Sequence, residues 1–171
     1  MILIPEEVVT ESWQSVAQLN PAQVKAGIRK FGQRQPALLA YALGNSKALS
    51  TAAGELLVYM TFVVVNAVYL SGAKVRQVSP DAIDASEAAL EERLLPLQGA
   101  HDAFIARAAG LLASNQPHLF AYLVQTLHEA PFEPPDPVPL SPEEQGAIFL
   151  AIATVIAVLD QQGQSSAPPA V

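Results

Sequence analysis

From Leu56 to Ala73 the chain carries no charged side chain. A stretch of that length either crosses a membrane or is wrapped by other apolar elements of its own fold. Its central part, "LVYMTFVVVNAVYL" over residues 57–70, is rich in β-branched and aromatic residues, which also favour strands. No turn signal interrupts it, however, and a second uncharged run, Gly146 to Leu159, follows a clear helix start at "SPEE" (Ser141–Glu144). Two long apolar helices are therefore expected. The second run is short for a membrane span, and amphipathic segments surround both; Val9, Trp13, Val16 and Asn20, for example, share one stripe. Burial at the centre of a helical bundle is the preferred expectation. A membrane-associated helical hairpin is the third choice, and clean solubility without detergent would exclude it.

The remaining helices are marked by their starts. Proline suits the first helical position, where its missing N–H is not needed. "NPAQ" (Asn20–Gln23) offers an Asn cap, Pro and then Gln; "SPDA" (Ser79–Ala82) and "SPEE" offer a Ser cap, Pro and then acid at the positive end of the helix dipole. "QP" at Gln35–Pro36 and Gln116–Pro117, and "LP" at Leu95–Pro96, mark three more. About eight helical segments follow: 5–19, 21–33, 36–43, 50–71, 80–94, 97–114, 117–129 and 142–162. Gly44-Asn45 and Gly72 stand where helix ends favour a left-handed residue. "APFEPPDPVPL" (130–140), with five prolines, is expected to be an extended linker, and 163–171 a polar, mobile tail.

The chain repeats itself. At an offset of 81 residues, Gln35, Pro36, Leu38, Ala40 and Tyr41 meet Gln116, Pro117, Leu119, Ala121 and Tyr122. At an offset of 90, the two apolar runs superpose, with Tyr59 on Phe149, Phe62 on Ile152, Val65 on Val155 and Ala67-Val68 on Ala157-Val158. The linker accounts for the added residues. The expected architecture is all-α: two internally repeated four-helix halves, about 5–72 and 80–162, forming one pseudo-two-fold bundle in a single domain, 1–162. The two most apolar helices should pack on each other at its centre.

Chemistry is harder to find. There is no cysteine, hence no disulfide, thiolate metal site or thiol nucleophile. His101, His118 and His128 form no Glu-x-x-His, His-x-x-x-His or HExxH pattern, and "HD" at His101-Asp102 lacks the further ligands a metal phosphohydrolase needs. No P-loop, GxGxxG or GxSxG occurs. No catalytic residue, cofactor or metal is expected. The N-terminal sequence has no basic and then apolar signal pattern, so a cytoplasmic location is the default expectation.

Net charge is −7, against a general nucleic-acid binder, but it is unevenly spread. Between Ser12 and Gly54 the charge is +5, from Lys25, Arg29, Lys30, Arg34 and Lys47, and the remainder is −12. Asp81, Asp84, Glu87 and Glu91 share one face of their helix, as do Lys25 with Arg29 and Lys30 with Arg34. These stripes are either solvated or complementary, between halves or between subunits. Asn66 lies in the first apolar run, where the second has Ile156; it must find a core partner, a neighbouring chain or a ligand. Tyr41 and Tyr122 are repeat-matched, with hydroxyls expected on a backbone carbonyl or helix end. Thr61 and Thr154 are expected to bond their own helix backbones.

The expectation is thus a non-catalytic interaction or scaffold module, acting with a second copy as a dimer or with another protein. The alternative is a bundle that binds an apolar small molecule near Asn66, Tyr41 and Tyr122.

Overall fold

A computed structural model describes residues 1–97, 104–132 and 137–164. The described residues are all-α, with eight helices: α1 (Glu6–Ala17), α2 (Pro21–Arg34), α3 (Pro36–Ser46), α4 (Thr51–Leu70), α5 (Pro80–Leu94), α6 (Phe104–Leu112), α7 (Pro117–Glu129) and α8 (Pro142–Gln164). A 3-10 turn, Leu95–Leu97, follows α5.

The starts form for the reasons their sequences suggest. Asn20 Oδ1 accepts from the Gln23 N–H at 3.0 Å, and Gln23 Oε1 accepts from the Asn20 N–H at 2.9 Å, a complete capping box. Ser141 and Glu144 make the same reciprocal pair at α8, through Ser141 Oγ and Glu144 Oε2. Ser50 and Ser79 cap α4 and α5 through their hydroxyls. These bonds satisfy donors that a helix cannot satisfy internally, each cap contributing about 1 kcal/mol.

Helices α4 and α8 pack on each other. Around them, α1 and α3 cover α4, while α5 and α7 cover α8; α2 lies on α3, and α6 on α7. The core is made of their mutual faces, with Leu57, Met60, Val64, Phe149, Ile152 and Ile156 almost wholly buried. Removing a large aliphatic or aromatic side chain from water contributes about 1.5–3 kcal/mol each, which explains why the least polar segments lie innermost. Both α4 and α8 are long and apolar enough to cross a membrane, but 61% of each apolar window is buried within the fold. Thr61 and Thr154 donate to Leu57 O and Leu150 O, so neither hydroxyl needs an outside partner.

Several boundaries differ from the sequence expectation. Gly44 and Asn45 lie inside α3, which continues to Ser46, and its C-cap Lys47 keeps right-handed geometry. Asn45 Nδ2 instead donates to Tyr41 O, one turn back. Gly72, with φ +76°, is the left-handed residue that ends α4. Helix α8 runs through Gly163 to Gln164; the rest of the expected tail lies outside the described residues. So does 98–103, within the single helix expected over 97–114.

Two glycines permit close approach. A Cβ at Gly27 would lie 2.7 Å from Phe62 Cζ, where α2 meets α4, and one at Gly54 would lie 2.8 Å from Ser46 O. Phe62 itself stacks on Phe31 of α2 at 6.3 Å between ring centres.

Candidate functional site

The most specific polar geometry belongs to two glutamines. Each precedes a proline at a helix start, and each has an unusual backbone: Gln35 at φ −137°, ψ 66°, and Gln116 at φ −135°, ψ 61°. Neither side chain caps its helix. Gln35 Oε1 accepts from the Val78 N–H at 2.9 Å, and its amide donates to Arg76 O at 3.1 Å and to the Tyr69 hydroxyl at 3.2 Å. Gln116 Oε1 accepts from the Ile4 N–H at 3.1 Å, and its amide donates to Ile2 O at 3.2 Å and to Asp160 Oδ1 at 2.9 Å. Each glutamine thus holds the extended segment before a first helix, α5 or α1, and also touches the C-terminal end of α4 or α8. Both are buried, and both are fully occupied. They are structural clasps and leave no group for chemistry.

The residues expected near a ligand are separated. Asn66 of α4 donates to Ser12 Oγ of α1 at 3.0 Å, and Ser12 in turn donates to Val63 O at 2.8 Å. This is an inter-helix bridge, a core pairing within the chain. Tyr41 of α3 donates to Glu87 Oε1 of α5 at 2.6 Å, a carboxylate where a backbone carbonyl or helix end was expected. Burial, and then the Glu87 carboxylate, push its hydroxyl pKa well above the ordinary tyrosine value. Tyr122 of α7 has a buried hydroxyl with no hydrogen bond. Burial, and then Tyr59, raise its pKa; the Thr126 hydroxyl opposes this weakly without reaching bonding geometry. Asn66, Tyr41 and Tyr122 line none of the cavities below.

The charge stripes are exposed as their spacing implies: Lys25, Arg29, Lys30 and Arg34 on α2, and Asp81, Asp84 and Glu91 on α5. Glu87 is the exception, drawn in to Tyr41 and half-buried. Arg34 lies over the Tyr69 ring at 4.6 Å from its centre, a cation–π contact. Among the described residues no ion pair joins the two stripes; the ion pair present is the Met1 ammonium with Asp160 Oδ1, at 3.1 Å.

Glu144 was not singled out by its sequence position beyond the cap. Its Oε1 also accepts from the Ser50 N–H at 3.0 Å, so one carboxylate joins the starts of α4 and α8. Its hydrogen bonds with Ser50, and then with Ser141, hold its pKa down at about 2.

Two cavities lie beside the two apolar helices, one against α4 and one against α8. The first, about 530 Å³, opens among α2, α3 and α4, on Val24, Ile28, Leu43, Val58, Tyr59 and Phe62. Its rim is apolar where a soluble surface is usually polar: Val24 and Leu43 are 40% and 45% exposed. The second, about 480 Å³, lies among α6, α7 and α8. Val124, Leu127 and Gln145 line it at the positions that match Leu43, Ser46 and Glu55 of the first, at the offsets of 81 and 90 residues. One difference is decisive. Residues 47–50 are all that joins α3 to α4, whereas 130–141 join α7 to α8, and Pro131, Phe132 and Leu140 of that longer connection form a wall of the second cavity. The first has no such wall.

Among the described residues no group of His, Asp or Glu side chains is placed to hold a metal ion. His118 and His128 lie apart on α7, and His101 and Asp102 are outside the described residues. Comparison of the chain with protein-family models, with curated proteins and with solved structures finds no match.

Proposed function

We propose that this protein is a non-catalytic interaction module that self-associates, built from two related four-helix halves about a pseudo-two-fold axis. Support for the repeat extends beyond the two offsets already given. Ile4, Val9, Ser12 and Val16 are buried along the first segment, and Val78, Ile83, Ser86 and Leu90 are buried with the same spacing along the fifth. Gln116 clasps Ile2 and Ile4 as Gln35 clasps Arg76 and Val78, in the same register. That register also accounts for the orphaned Tyr122 hydroxyl. Tyr41 meets Glu87 on α5, and the corresponding residue of α1 is Trp13, which offers no carboxylate.

The observation that carries self-association is the bare apolar groove of the first half, flanked by the exposed cations of α2, which form no ion pair among the described residues. An exposed aliphatic rim of this kind costs solubility unless a partner covers it. Sedimentation equilibrium of the wild type and of Leu43→Glu tests this. Leu43 is nearly half exposed, so the variant should fold. The wild type should sediment as a multiple of the chain mass and the variant as a monomer; a monomeric wild type at tens of micromolar would overturn the proposal.

A second occupant has one observation in its favour. The same groove falls within the usual ~300–1,000 Å³ range of small-molecule sites and has an apolar lining. A retained apolar ligand would appear as added mass on the native chain.

A further inference from the structure

We propose that the bare groove of the first half takes the α7–α8 connection of a second copy of this chain, with Phe132 as its anchor. This rests on the self-association proposed above and names what does the associating.

The reasoning starts from the cavity in the second half. There the groove between a third and a fourth helix is walled by a proline-bearing connection that turns back on itself, with Val138 N–H donating to Ala130 O at 2.8 Å and Pro131 and Leu140 against the groove. The chain therefore already pairs this type of groove with this type of segment. In the first half the matched positions Leu43, Ser46 and Glu55 line a groove with no segment over it, because the connection from Ser46 to Thr51 is too short to cross it. The need for a cover is the same; the cover is missing from the same chain.

The connection has a side to offer. Phe132 is 79% exposed, the most exposed aromatic side chain among the described residues. Phe132 follows Pro131 in a turn closed by its own N–H, which donates to Glu129 O at 2.8 Å, so an aromatic anchor there has its backbone held before docking and loses little conformational entropy. Charge agrees as well. The sequence from Glu129 to Leu140 contains three acids and no base, and Lys25, Arg29 and Lys47 stand beside the groove-lining residues Val24, Ile28 and Ser46. Two copies exchanging this contact reciprocally would close a two-fold dimer, leaving no open end for polymer growth.

The test uses the full chain carrying Phe132→Ser as receptor, since its own anchor is then absent and its groove free. The probe is a dye-labelled peptide of residues 129–141, titrated by fluorescence anisotropy, beside sedimentation of the same chain. Phe132→Ser should be monomeric with the circular dichroism of the wild type, and should bind the peptide. The same peptide with Phe132→Ala should bind at least ten-fold more weakly, as should the wild-type peptide to a receptor that also carries Leu43→Glu. Lys25→Glu with Arg29→Glu should weaken binding several-fold and flatten its salt dependence. If the wild type self-associates and Leu43→Glu abolishes this, while Phe132→Ser retains the dimer mass and binds no peptide, the occupant is wrong and the groove remains the interface. If the wild type is monomeric at every concentration, both proposals fall.

Discussion

Replacing Gln116 by Leu removes three hydrogen bonds from a nearly isosteric site, and the cost follows from what is left behind. Ile2 is exposed, so its carbonyl can turn to water. Asp160 keeps the Met1 ammonium on Oδ1 and Asn115 Nδ2, at 3.1 Å, on Oδ2. The Ile4 N–H is different: it is buried and has no other acceptor nearby in the hydrogen-bond pattern. One orphaned buried donor costs about 1–3 kcal/mol, so a loss of about 2 kcal/mol is expected. Gln35→Leu strands the buried Val78 N–H in the same way, with Arg76 O free to be hydrated, and should cost about the same, ~2 kcal/mol. The two clasps share no partner, so the double variant should lose about 4 kcal/mol. Charge separates the two positions. Gln116→Glu places a carboxylate against Asp160, now 2.9 Å from the amide, whereas Gln35→Glu faces a Tyr69 hydroxyl that can donate. Gln116→Glu should therefore be the more destabilising at neutral pH and should recover as the solution is acidified toward pH 5. Urea unfolding followed by circular dichroism reads all five variants beside the wild type, with midpoints shifting at constant slope. A cost below about 0.5 kcal/mol for either Leu variant would refute the reasoning, since it would mean the orphaned N–H is satisfied elsewhere.

Other outcomes follow from single residues. Asn66→Leu removes one half-buried bond to Ser12, whose own bond to Val63 O survives, so urea unfolding should show a loss of only about 1 kcal/mol. Hydrogen bonds with Ser50 and Ser141 hold the Glu144 carboxyl well below the ordinary glutamate value, at about 2. A depressed carboxylate contributes stability above its unfolded pKa and loses it as pH falls through the folded value. Glu144→Gln should thus be less stable than wild type from neutral pH down to about pH 5, with the difference vanishing by about pH 2 in acid-unfolding curves. Gly54→Ala, pressing a Cβ against the backbone oxygen of Ser46, should lower stability by about 1–3 kcal/mol, while Gly44→Ala, in open space within α3, should raise it by up to ~1 kcal/mol.

What the sequence reveals here is mainly local. Helix starts at Asn20, Ser79 and Ser141 are legible because a cap is a bond between neighbours three residues apart. The apolar runs of α4 and α8 are legible because burial at the centre demands composition alone. The end of α3 is not: Gly44 permits a left-handed stop without requiring one, and packing against α4 carries the helix on to Ser46. Gln35 and Gln116 stand out in the sequence as helix starts, but their partners lie in distant segments, and nothing within a few residues of them indicates a clasp. Their recurrence as a matched pair of amides was the available signal. Asn66 announces the need for a partner without naming Ser12, and Glu87 shares its spacing with the exposed acids while Tyr41 draws it inward. The groove could not be read from any lining residue. It results from the difference between a connection of residues 47–50 and one of residues 130–141, visible in the repeat offsets but meaningful only once the helices are placed.

Native mass spectrometry of the purified protein beside its Leu43→Glu variant tests the central claim most directly. The expected result is an integer multiple of the 18.1 kDa chain for the wild type and a single chain for the variant. A wild-type spectrum of bare 18.1 kDa monomer, unchanged by Leu43→Glu, would contradict it.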